Sequence, residues 1–345
     1  MDFVKLGRTD IDISKICLGT MTWGQQNTEA EAFSQMDMAI ERGINFFDTA
    51  ELYSVPPKAE TYGSTEKIIG NWLNEKKARD KIILASKVVG SGFAYMRPME
   101  RKLDRKNIET ALNASLKRLQ TDYLDLYYLH WPERQANYFG KLGFEHDPLD
   151  IDWTQLEETL GVLGDAVNAG KVRAIGVSNE TPWGVMKFLE IAGRTGLPRI
   201  AAVQNPYNLL NRSYEVGLAE ISLREDCPLL AYSPLGFGTL SGKYLGGKKP
   251  ANGRITLFEE YKRYTKPQGI KATERYVNLA HDHGLDPAAM ALAFVNAQPF
   301  VASNIIGATN VKQLASNIDA YELKLSPEII SAINEIHKEI SNPAP

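Results

Sequence analysis

The feature that most limits what this chain can fold into is a regular alternation of two sequence patterns. Eight short apolar runs, each ending in small or polar residues, alternate with eight stretches of helical periodicity. The runs that predict strands are 16–19, 44–47, 82–86, 124–129, 174–177, 202–204, 229–232 and 303–306. The stretches that predict helices are 29–42, 65–77, 106–119, 155–169, 182–194, 214–224, 270–283 and 311–321. Such alternation is typical of parallel strands joined by crossover helices.

Parallel strands of this kind form either a closed barrel or an open doubly wound sheet. The length of 345 residues favours a (β/α)8 TIM barrel, so we expect residues 1–345 to form a single α/β barrel domain. Residues 3–13, with the turn sequence GRTD, predict an N-terminal β-hairpin, and 287–297 and 327–340 predict extra helices. Long loops at 88–105, 132–152 and 234–264 are candidate functional segments.

Composition narrows the classes of partner and compartment. A net charge of -3 gives no basic field for nucleic acid or anionic lipid, and no run approaches the ~20 apolar residues of a membrane span. The two cysteines, Cys17 and Cys227, suggest neither a disulfide framework nor a metal cluster. His281 and His283 are two residues apart, which splays side chains around a helix, so we expect no metal there. We therefore expect a cytoplasmic protein without a nucleic-acid or membrane partner.

Reactive side chains follow successive apolar runs, and barrels assemble their chemistry from the carboxyl ends of strands. Asp48 follows the second run, with Tyr53 five residues later; Lys87 follows the third and His130 the fourth. The later runs are followed by Ser178 and Asn179, Gln204 and Asn205, Tyr232 and Ser233, and finally Gly307, Ala308 and Thr309.

Each of the first four residues has a structural explanation when taken alone. Asp48 could cap a turn or helix, Tyr53 could be a half-exposed aromatic, Lys87 a solvated charge and His130 a core histidine. Their joint occurrence at successive strand ends, among apolar neighbours, instead indicates a functional site.

A carboxylate, a phenol, an ammonium and an imidazole suit acid catalysis. A phenol has a reference pKa of about 10, so it can give up its proton near neutral pH only if its anion is stabilised. Lys87 would favour the tyrosinate of Tyr53, Asp48 would hold the ammonium, and His130 could hydrogen-bond the phenol or a substrate oxygen. The set therefore predicts a general acid beside a site for a developing alkoxide.

The motifs around these residues resemble the aldo-keto reductase family, and the resemblance covers nearly the whole chain. It is carried by INFFDTAELY, LASKV, LHWP, IGVSN, VQNPYN, AYSPLGFGTLSGKY and GATNVKQLASN. The segments VPPKAETYGSTE and NRSYEVGLAEIS look closest to the Tas-type bacterial branch of that family.

The resemblance implies an NADP(H)-dependent oxidoreductase that reduces aldehydes and ketones, with Asp48, Tyr53, Lys87 and His130 as its catalytic residues. Hydride would pass from nicotinamide to the carbonyl carbon while Tyr53 protonates the oxygen. The implied nicotinamide contacts are Ser178, Asn179 and Gln204 to the carboxamide and Tyr232 stacked on the ring. The implied pyrophosphate contacts are Ser233, Leu235, Gly236 and Gly238.

The chain departs from the family where some members grip the 2′-phosphate of NADP. The Lys and Arg of those members would fall at Gly307 and Gln313, so NAD(H) stays open as the cofactor. Thr309, Gln313 and Asn317 are candidate adenosine contacts, and Lys243 or Arg254 would supply positive charge from the seventh loop.

Trp23 and Trp131 lie just past strand ends, where each could pack in the core or form the wall of a substrate pocket. Neither of two glycine-containing segments is evidence for a nucleotide motif. GFGTLS lacks the third glycine of a Rossmann fingerprint, and SGKY lacks the first glycine and the Ser/Thr of a Walker loop.

Two other functions compete with the reductase. Lys87 at a barrel strand end could form a Schiff base, as in aldolases of this fold, but Asp48 would keep it charged while a Schiff-base lysine must be neutral. A slow cofactor-binding or sensing module, like the potassium-channel β subunits that resemble this family, would keep the same four residues. The expected ligand of a reductase is a small carbonyl compound, and the sequence carries no signal for its identity or for the oligomeric state.

Overall fold

A closed barrel of eight parallel strands forms the centre of the protein. This computed structural model describes residues 1–97 and 102–345. A two-stranded antiparallel hairpin comes first, with β1 at Phe3–Lys5 and β2 at Asp12–Ser14. The barrel strands follow in chain order around the ring, and β10 closes it against β3. They are β3 Ile16–Gly19, β4 Phe46–Asp48, β5 Ile83–Val88, β6 Leu124–Leu129, β7 Val172–Ser178, β8 Ile200–Pro206, β9 Leu229–Tyr232 and β10 Val301–Ile306. The predicted (β/α)8 TIM barrel is confirmed.

Helices surround the barrel between successive strands. They are α1 Glu29–Glu41, α2 Ser64–Lys76, α3 Arg105–Leu119, α4 Leu156–Asn168, α5 Pro182–Thr195, α6 Leu218–Arg224, α7 Arg254–Leu257, α8 Pro267–Asp282, α9 Pro287–Asn296, α10 Val311–Asp319 and α11 Pro327–Glu339. Several begin at side-chain caps, such as Thr28 with Glu31 before α1 and Asp286 before the proline of α9.

Two helical predictions differ in detail from the structure. The helix predicted at 214–224 is divided into a 3-10 turn at Ser213–Val216 and α6, because Gly217 has a non-helical φ of -151°. The last predicted stretch, 311–321, is α10 followed by a 3-10 turn at Ala320–Glu322. The short α7 lies inside the long loop at 234–264, which had no predicted helix.

The strand ends reach further than the apolar runs predicted. Asp48, Lys87 and Ser178 are themselves strand residues, and β8 continues past Gln204 to Pro206. Asp48, for example, pairs with Ala85 in the parallel ladder of β4 and β5. Backbone hydrogen bonds of the sheet therefore fix the positions from which these polar side chains project.

The N-terminal hairpin covers the amino end of the barrel. Leu6, Ile11 and Ile13 pack into one buried cluster with strand residues such as Cys17 and Phe46. The opposite, carboxyl end carries the three long loops and is the end at which a site can open. The predicted loop at 88–105 includes residues 98–101, which lie outside the described residues. Within the described part of the chain, no helix is both long and apolar enough to cross a membrane.

The close contact between α2 and α3 requires a glycine at position 70, so a larger side chain there should destabilise the fold. A Cβ on Gly70 of α2 would lie 2.2 Å from the Arg118 carbonyl oxygen of α3, so Gly70→Ala must push the two backbones apart. We expect it to lower the free energy of unfolding by about 1–3 kcal/mol in urea titrations. Gly161→Ala in α4 is the matched control, because a Cβ there meets nothing within 4 Å. Since alanine favours helix, the control should gain about 0.5–1 kcal/mol; equal losses in both variants would contradict the packing argument.

Candidate active site

A buried ion pair joins the carboxyl ends of two neighbouring strands. Lys87 on β5 donates to Asp48 Oδ2 on β4 at 2.6 Å and to the Thr49 carbonyl at 2.7 Å. The amide Nε2 of Gln204 on β8 donates to the other oxygen of Asp48 at 2.8 Å. Both charged side chains are almost completely shielded from solvent. The carboxylate is thus held from two sides, and the ammonium has one orientation.

Burial shifts the pKa values of Lys87 and Asp48 in opposite directions, because it disfavours the charged form of each. Burial lowers the pKa of Lys87, and the charge of Asp48 opposes that shift. Burial likewise raises the pKa of Asp48, and the charge and hydrogen bond of Lys87 oppose it. The charge of each partner stabilises the charged form that burial disfavours in the other, so neither charge would persist here without the other.

Tyr53 lies directly beside this pair. The Lys87 Nζ atom is 5.0 Å from the centroid of the Tyr53 ring. Burial raises the pKa of Tyr53, the negative charge of Asp48 raises it further, and Arg254 opposes both. Burial and the charge of Asp48 therefore keep the phenol protonated in this structure. The stabilisation of the tyrosinate by Lys87, once the proton has left, stays a prediction.

His130 completes the group and is held uncharged. Its ring lies edge-on to Tyr53, with centroids 5.9 Å apart. Burial, and then the positive charge of Lys87, hold the pKa of His130 well below its usual value. Its buried Nδ1 atom has no hydrogen-bond partner among the described residues. A neutral imidazole beside a protonated phenol can orient an uncharged polar group.

These side chains face a cavity of about 950 Å³ at the carboxyl end of the barrel. Asp48, Tyr53 and His130 line the cavity, while Lys87 lies behind Asp48. Most residues predicted to contact a dinucleotide also line it: Ser178, Asn179, Gln204, Tyr232, Ser233, Leu235, Gly238, Lys243, Arg254, Gly307, Thr309, Gln313 and Asn317. Gly236 is not among them, because it packs against the Tyr264 ring, where a Cβ would lie 3.1 Å from that ring.

The two tryptophans lie in different places. Trp131 lines the cavity, and its ring centroid is 4.8 Å from that of His130. Trp23 is fully buried in the main core and donates to Gln35 at 3.3 Å. Of its two alternatives, Trp23 therefore takes the core position, in one buried cluster with residues of α1 and α2 such as Met36 and Ile69.

The predicted nicotinamide contacts already bond to one another. Asn179 accepts from the Tyr232 hydroxyl at 2.6 Å and donates to the His130 carbonyl at 2.9 Å. Asn179 adopts this position with a left-handed φ of 53°. These hydrogen bonds join the ends of β6, β7 and β9 into one polar surface that lines the cavity.

The loop after β9 brings cations to the same cavity. Ser233, Phe237 and Gly238 have positive φ values, which curl the chain into tight turns around the opening. Lys243 and Arg254 line the cavity from this loop, and neither has a carboxylate within 4 Å in the described ranges 1–97 and 102–345. Lys312, which the sequence analysis did not single out, adds a positive charge beside Gln313 from the segment after β10.

The segment that carries Tyr53 is anchored by a charge that sequence reasoning missed. Glu51 is fully buried, accepts from the Val89 backbone nitrogen at 2.7 Å, and pairs with Arg97 at 2.7 Å. The Tyr62 hydroxyl donates to it at 3.0 Å. A charged residue inside INFFDTAELY was the available signal, but its partner Arg97, 46 positions away, was not deducible. Glu51 thus ties the chain on one side of Tyr53 to the end of β5.

The fold and the site together define a class: a (β/α)8 barrel with an acid–base group at the carboxyl ends of its strands. The sequence model described as the aldo/keto reductase family matches residues 15–338. This chain belongs to the aldo/keto reductase family and is an oxidoreductase of that family.

Known relatives match the chain over nearly its full length. It is 52% identical to "Protein tas" of Escherichia coli (strain K12), with all of both chains covered. It is 34% identical to "Uncharacterized oxidoreductase YrpG" of Bacillus subtilis (strain 168), covering 97% of this chain and 96% of the relative. It is 29% identical to a "Probable voltage-gated potassium channel subunit beta" of Oryza sativa subsp. japonica, again covering 97% and 96%. The resemblance to the family and its Tas-type branch is confirmed.

The depressed pKa of His130 predicts how stability depends on pH. The folded protein keeps this side chain neutral, whereas in the unfolded chain it binds a proton near pH 6.5. The contribution of neutral His130 to the free energy of unfolding is therefore present above pH 6.5 and is lost as the pH falls below that value. Between pH 7 and pH 5 the parent protein should lose more unfolding free energy than His130→Gln, by up to about 2 kcal/mol, the limit set by protonation of the unfolded chain alone. Urea titrations at both pH values measure this difference, and parallel pH dependences would show that His130 is protonated in the folded state.

Proposed function

We propose that this protein reduces aldehydes and ketones to alcohols with NADP(H), using Tyr53 as the general acid. The observation that carries the proposal is the convergence of Tyr53, His130 and the Asp48–Lys87 pair on one cavity. A protonated phenol and a neutral imidazole on the same wall suit the binding and protonation of a carbonyl oxygen.

The residues of the cavity fit a nicotinamide dinucleotide. Lys243 and Arg254, which have no carboxylate within 4 Å among the described residues, suit a phosphate group of the cofactor. The polar surface of Ser178, Asn179 and Tyr232 suits a carboxamide-bearing ring. A bound reduced nicotinamide supplies a hydride. We assign the carboxamide to Ser178, Asn179 and Gln204, and the ring to the face of Tyr232. The Nε2 atom of Gln204 already donates a hydrogen bond to Asp48, so Gln204 would contact the carboxamide through the remaining hydrogen-bonding capacity of its side-chain amide.

In this proposal the protein's own residues manage one proton. His130 orients the carbonyl oxygen toward the Tyr53 hydroxyl, which donates its proton as negative charge develops on that oxygen. Lys87, held by Asp48, places its positive charge beneath the Tyr53 ring and stabilises the tyrosinate that remains. Phe93 and Trp131 line the same cavity and limit the access of water.

Preference for NADP(H) over NAD(H) rests on the cations near the adenosine end. Gly307 and Gln313 carry no charge, but Lys312 lies beside Gln313, and Lys243 and Arg254 face the cavity from the loop after β9. These cations would attract the negatively charged 2′-phosphate of NADP(H), whereas the neutral 2′-hydroxyl of NAD(H) would gain no such attraction. Thr309 and Asn317 complete the proposed adenosine contacts.

We further propose that residues 1–345 act as one barrel domain and that the protein is cytoplasmic. One large buried cluster extends from Ile16 to Ala344 around the barrel, which supports a single folding unit. Cys17 and Cys227 are buried free thiols, a form suited to a reducing compartment.

The two competing functions stand differently against the geometry. A Schiff base on Lys87 is disfavoured, because its amine is fully buried and hydrogen-bonded to Asp48 and Thr49. A slow cofactor-binding module draws support from the similarity to a probable potassium channel subunit beta. Ordinary turnover of a carbonyl substrate would decide for the reductase.

Removing the Tyr53 hydroxyl should separate chemistry from cofactor binding. We expect Tyr53→Phe to lower carbonyl reduction by a factor of about 100 or more while NADPH binds normally, since the phenol acts on the substrate oxygen. Tyr123→Phe is the matched control, because this ring lies beneath Arg79 at the amino end of β6, away from the cavity. Steady-state rates and NADPH fluorescence measure both properties, and full activity in Tyr53→Phe would remove Tyr53 from the mechanism.

Cofactor preference has its own test. Titrations followed by nicotinamide fluorescence should show tighter binding of NADPH than of NADH, because only NADPH carries the 2′-phosphate. The double variant Lys243→Met/Lys312→Met should weaken NADPH binding and leave NADH binding within about a factor of 3, as expected for lost charge contacts to one phosphate. Equal affinities in the parent protein would contradict the assignment of NADP(H).

A further inference from the structure

Arg263 is a cation of the cavity that the proposed catalysis and cofactor binding do not use. It lies in the loop after β9, on a 3-10 turn at Arg263–Thr265, and lines the cavity. Its guanidinium carbon is 5.8 Å from the centroid of the Phe139 ring and 5.9 Å from that of Tyr264. The two aromatic faces hold the flat guanidinium in place without neutralising it.

The charge of Arg263 has no anionic partner. In the described ranges 1–97 and 102–345, no carboxylate oxygen lies within 4 Å of its nitrogens. Burial disfavours its charge, but the phenols of Tyr264 and Tyr232 raise its pKa overall, so the side chain is a cation. A guanidinium has five N–H donors, and two phenol oxygens cannot satisfy them all.

The backbone beside Arg263 leaves this charge accessible. Gly140 lines the cavity next to it, and a Cβ on Gly140 would lie 3.7 Å from Arg263 Nε and 3.6 Å from a main-chain oxygen of Pro345. Gly140 adopts a φ of 100°, which other residues rarely take. The absence of a side chain there keeps the approach to the guanidinium open.

The position of Arg263 separates it from the proposed adenosine site. Phe139, against which it packs, belongs to the loop after β6, whereas Thr309 and Gln313 follow β10. In the closed ring of eight strands, β6 and β10 are four places apart and therefore lie on opposite sides of the barrel mouth. The Phe139 face of Arg263 therefore lies across the mouth from Thr309 and Gln313.

An aromatic wall connects Arg263 to the catalytic group. Phe139 lies 5.6 Å from Trp131, Trp131 lies 4.8 Å from His130, and His130 lies 5.9 Å from Tyr53, measured between ring centroids. The phenol of Tyr232 also interacts electrostatically with both Arg263 and Tyr53. A molecule lying along this wall would have its reactive end at Tyr53 and its far end at a cation.

We propose that Arg263 binds a carboxylate at the far end of the substrate, so that the preferred substrates are aromatic aldehydes or ketones that bear a carboxylate. This inference rests on the proposed carbonyl reduction and adds a substrate class to it. The wall favours a flat apolar body, and the unpaired guanidinium favours a planar anion that can accept two parallel hydrogen bonds.

The test compares two aldehydes that differ in one charge, 4-formylbenzoate and its methyl ester. The parent protein should have the higher kcat/KM for the acid. Arg263→Met should lower kcat/KM for the acid by about 10- to 100-fold, the effect of losing a charge-assisted hydrogen bond, and change that for the ester by less than about 3-fold. Arg263→Lys should retain part of the preference, because it keeps the charge but not the paired donors.

Lys262→Met is the matched control. Lys262 is the adjacent cation, lines the same cavity and is exposed, so it tests whether any positive charge nearby suffices. We expect it to keep the preference for the acid. NADPH affinity and thermal melting, measured on every variant, report whether the cofactor site and the fold are intact.

A second readout does not require turnover. Binding of 4-methylbenzoate, which cannot be reduced, should quench the fluorescence of the parent protein through the neighbouring Trp131 and be weakened at least 10-fold in Arg263→Met. If no aldehyde is reduced with either cofactor, the proposed function fails, and this measurement still decides the role of Arg263. The inference is overturned if the parent protein treats acid and ester alike, if Arg263→Met affects both equally, or if it weakens NADPH binding instead.

Discussion

The site depends on keeping one ion pair inside the mouth of a barrel. Two opposite charges buried together are tolerated only with close geometry and with their remaining hydrogen-bonding capacity satisfied. Asp48 and Lys87 meet both conditions, because they come from adjacent strands and receive Gln204 and the Thr49 carbonyl as further partners. Closure of the ring makes this possible, since it brings β8 across from β4 and β5.

The electrostatics of Tyr53 and His130 follow from that pair. Burial raises the pKa of the phenol and lowers the pKa of the imidazole; Asp48 adds to the first shift and Lys87 adds to the second, so both neighbours stay uncharged. The catalytic surface is therefore uncharged toward the cavity, although two full charges lie directly behind it. Such a surface can accept a neutral carbonyl compound and respond when charge develops on its oxygen.

Further buried ion pairs hold the loops around the site. Glu51 with Arg97 anchors the segment before Tyr53, and Glu180 with Arg134 joins the loops after β7 and β6 at 2.5 Å. Among the residues that the structure describes, Lys312 and Arg263 have no carboxylate partner within 4 Å, and they lie on two sides of the mouth: Lys312 beside β10, and Arg263 against the loop after β6. Paired charges thus support the framework, and unpaired ones remain for ligands.

The sequence by itself determined the architecture and the identity of the reactive residues. Alternating periodicities are local properties of a chain, so eight strands, their helices and the polar residues at their ends could be predicted from neighbours in sequence.

Only the tertiary structure decided which alternatives these residues took. Trp23 lies in the core, Gly236 packs against Tyr264, and Tyr53 keeps its proton because burial and the charge of Asp48 raise its pKa. Glu51 pairs with Arg97, and Arg263 packs against Phe139. These residues are far apart in the sequence, and no sequence pattern predicts their contacts. The physical reason is that hydrogen-bonded periodicity acts over a few residues, whereas burial and charge depend on everything the closed barrel brings together.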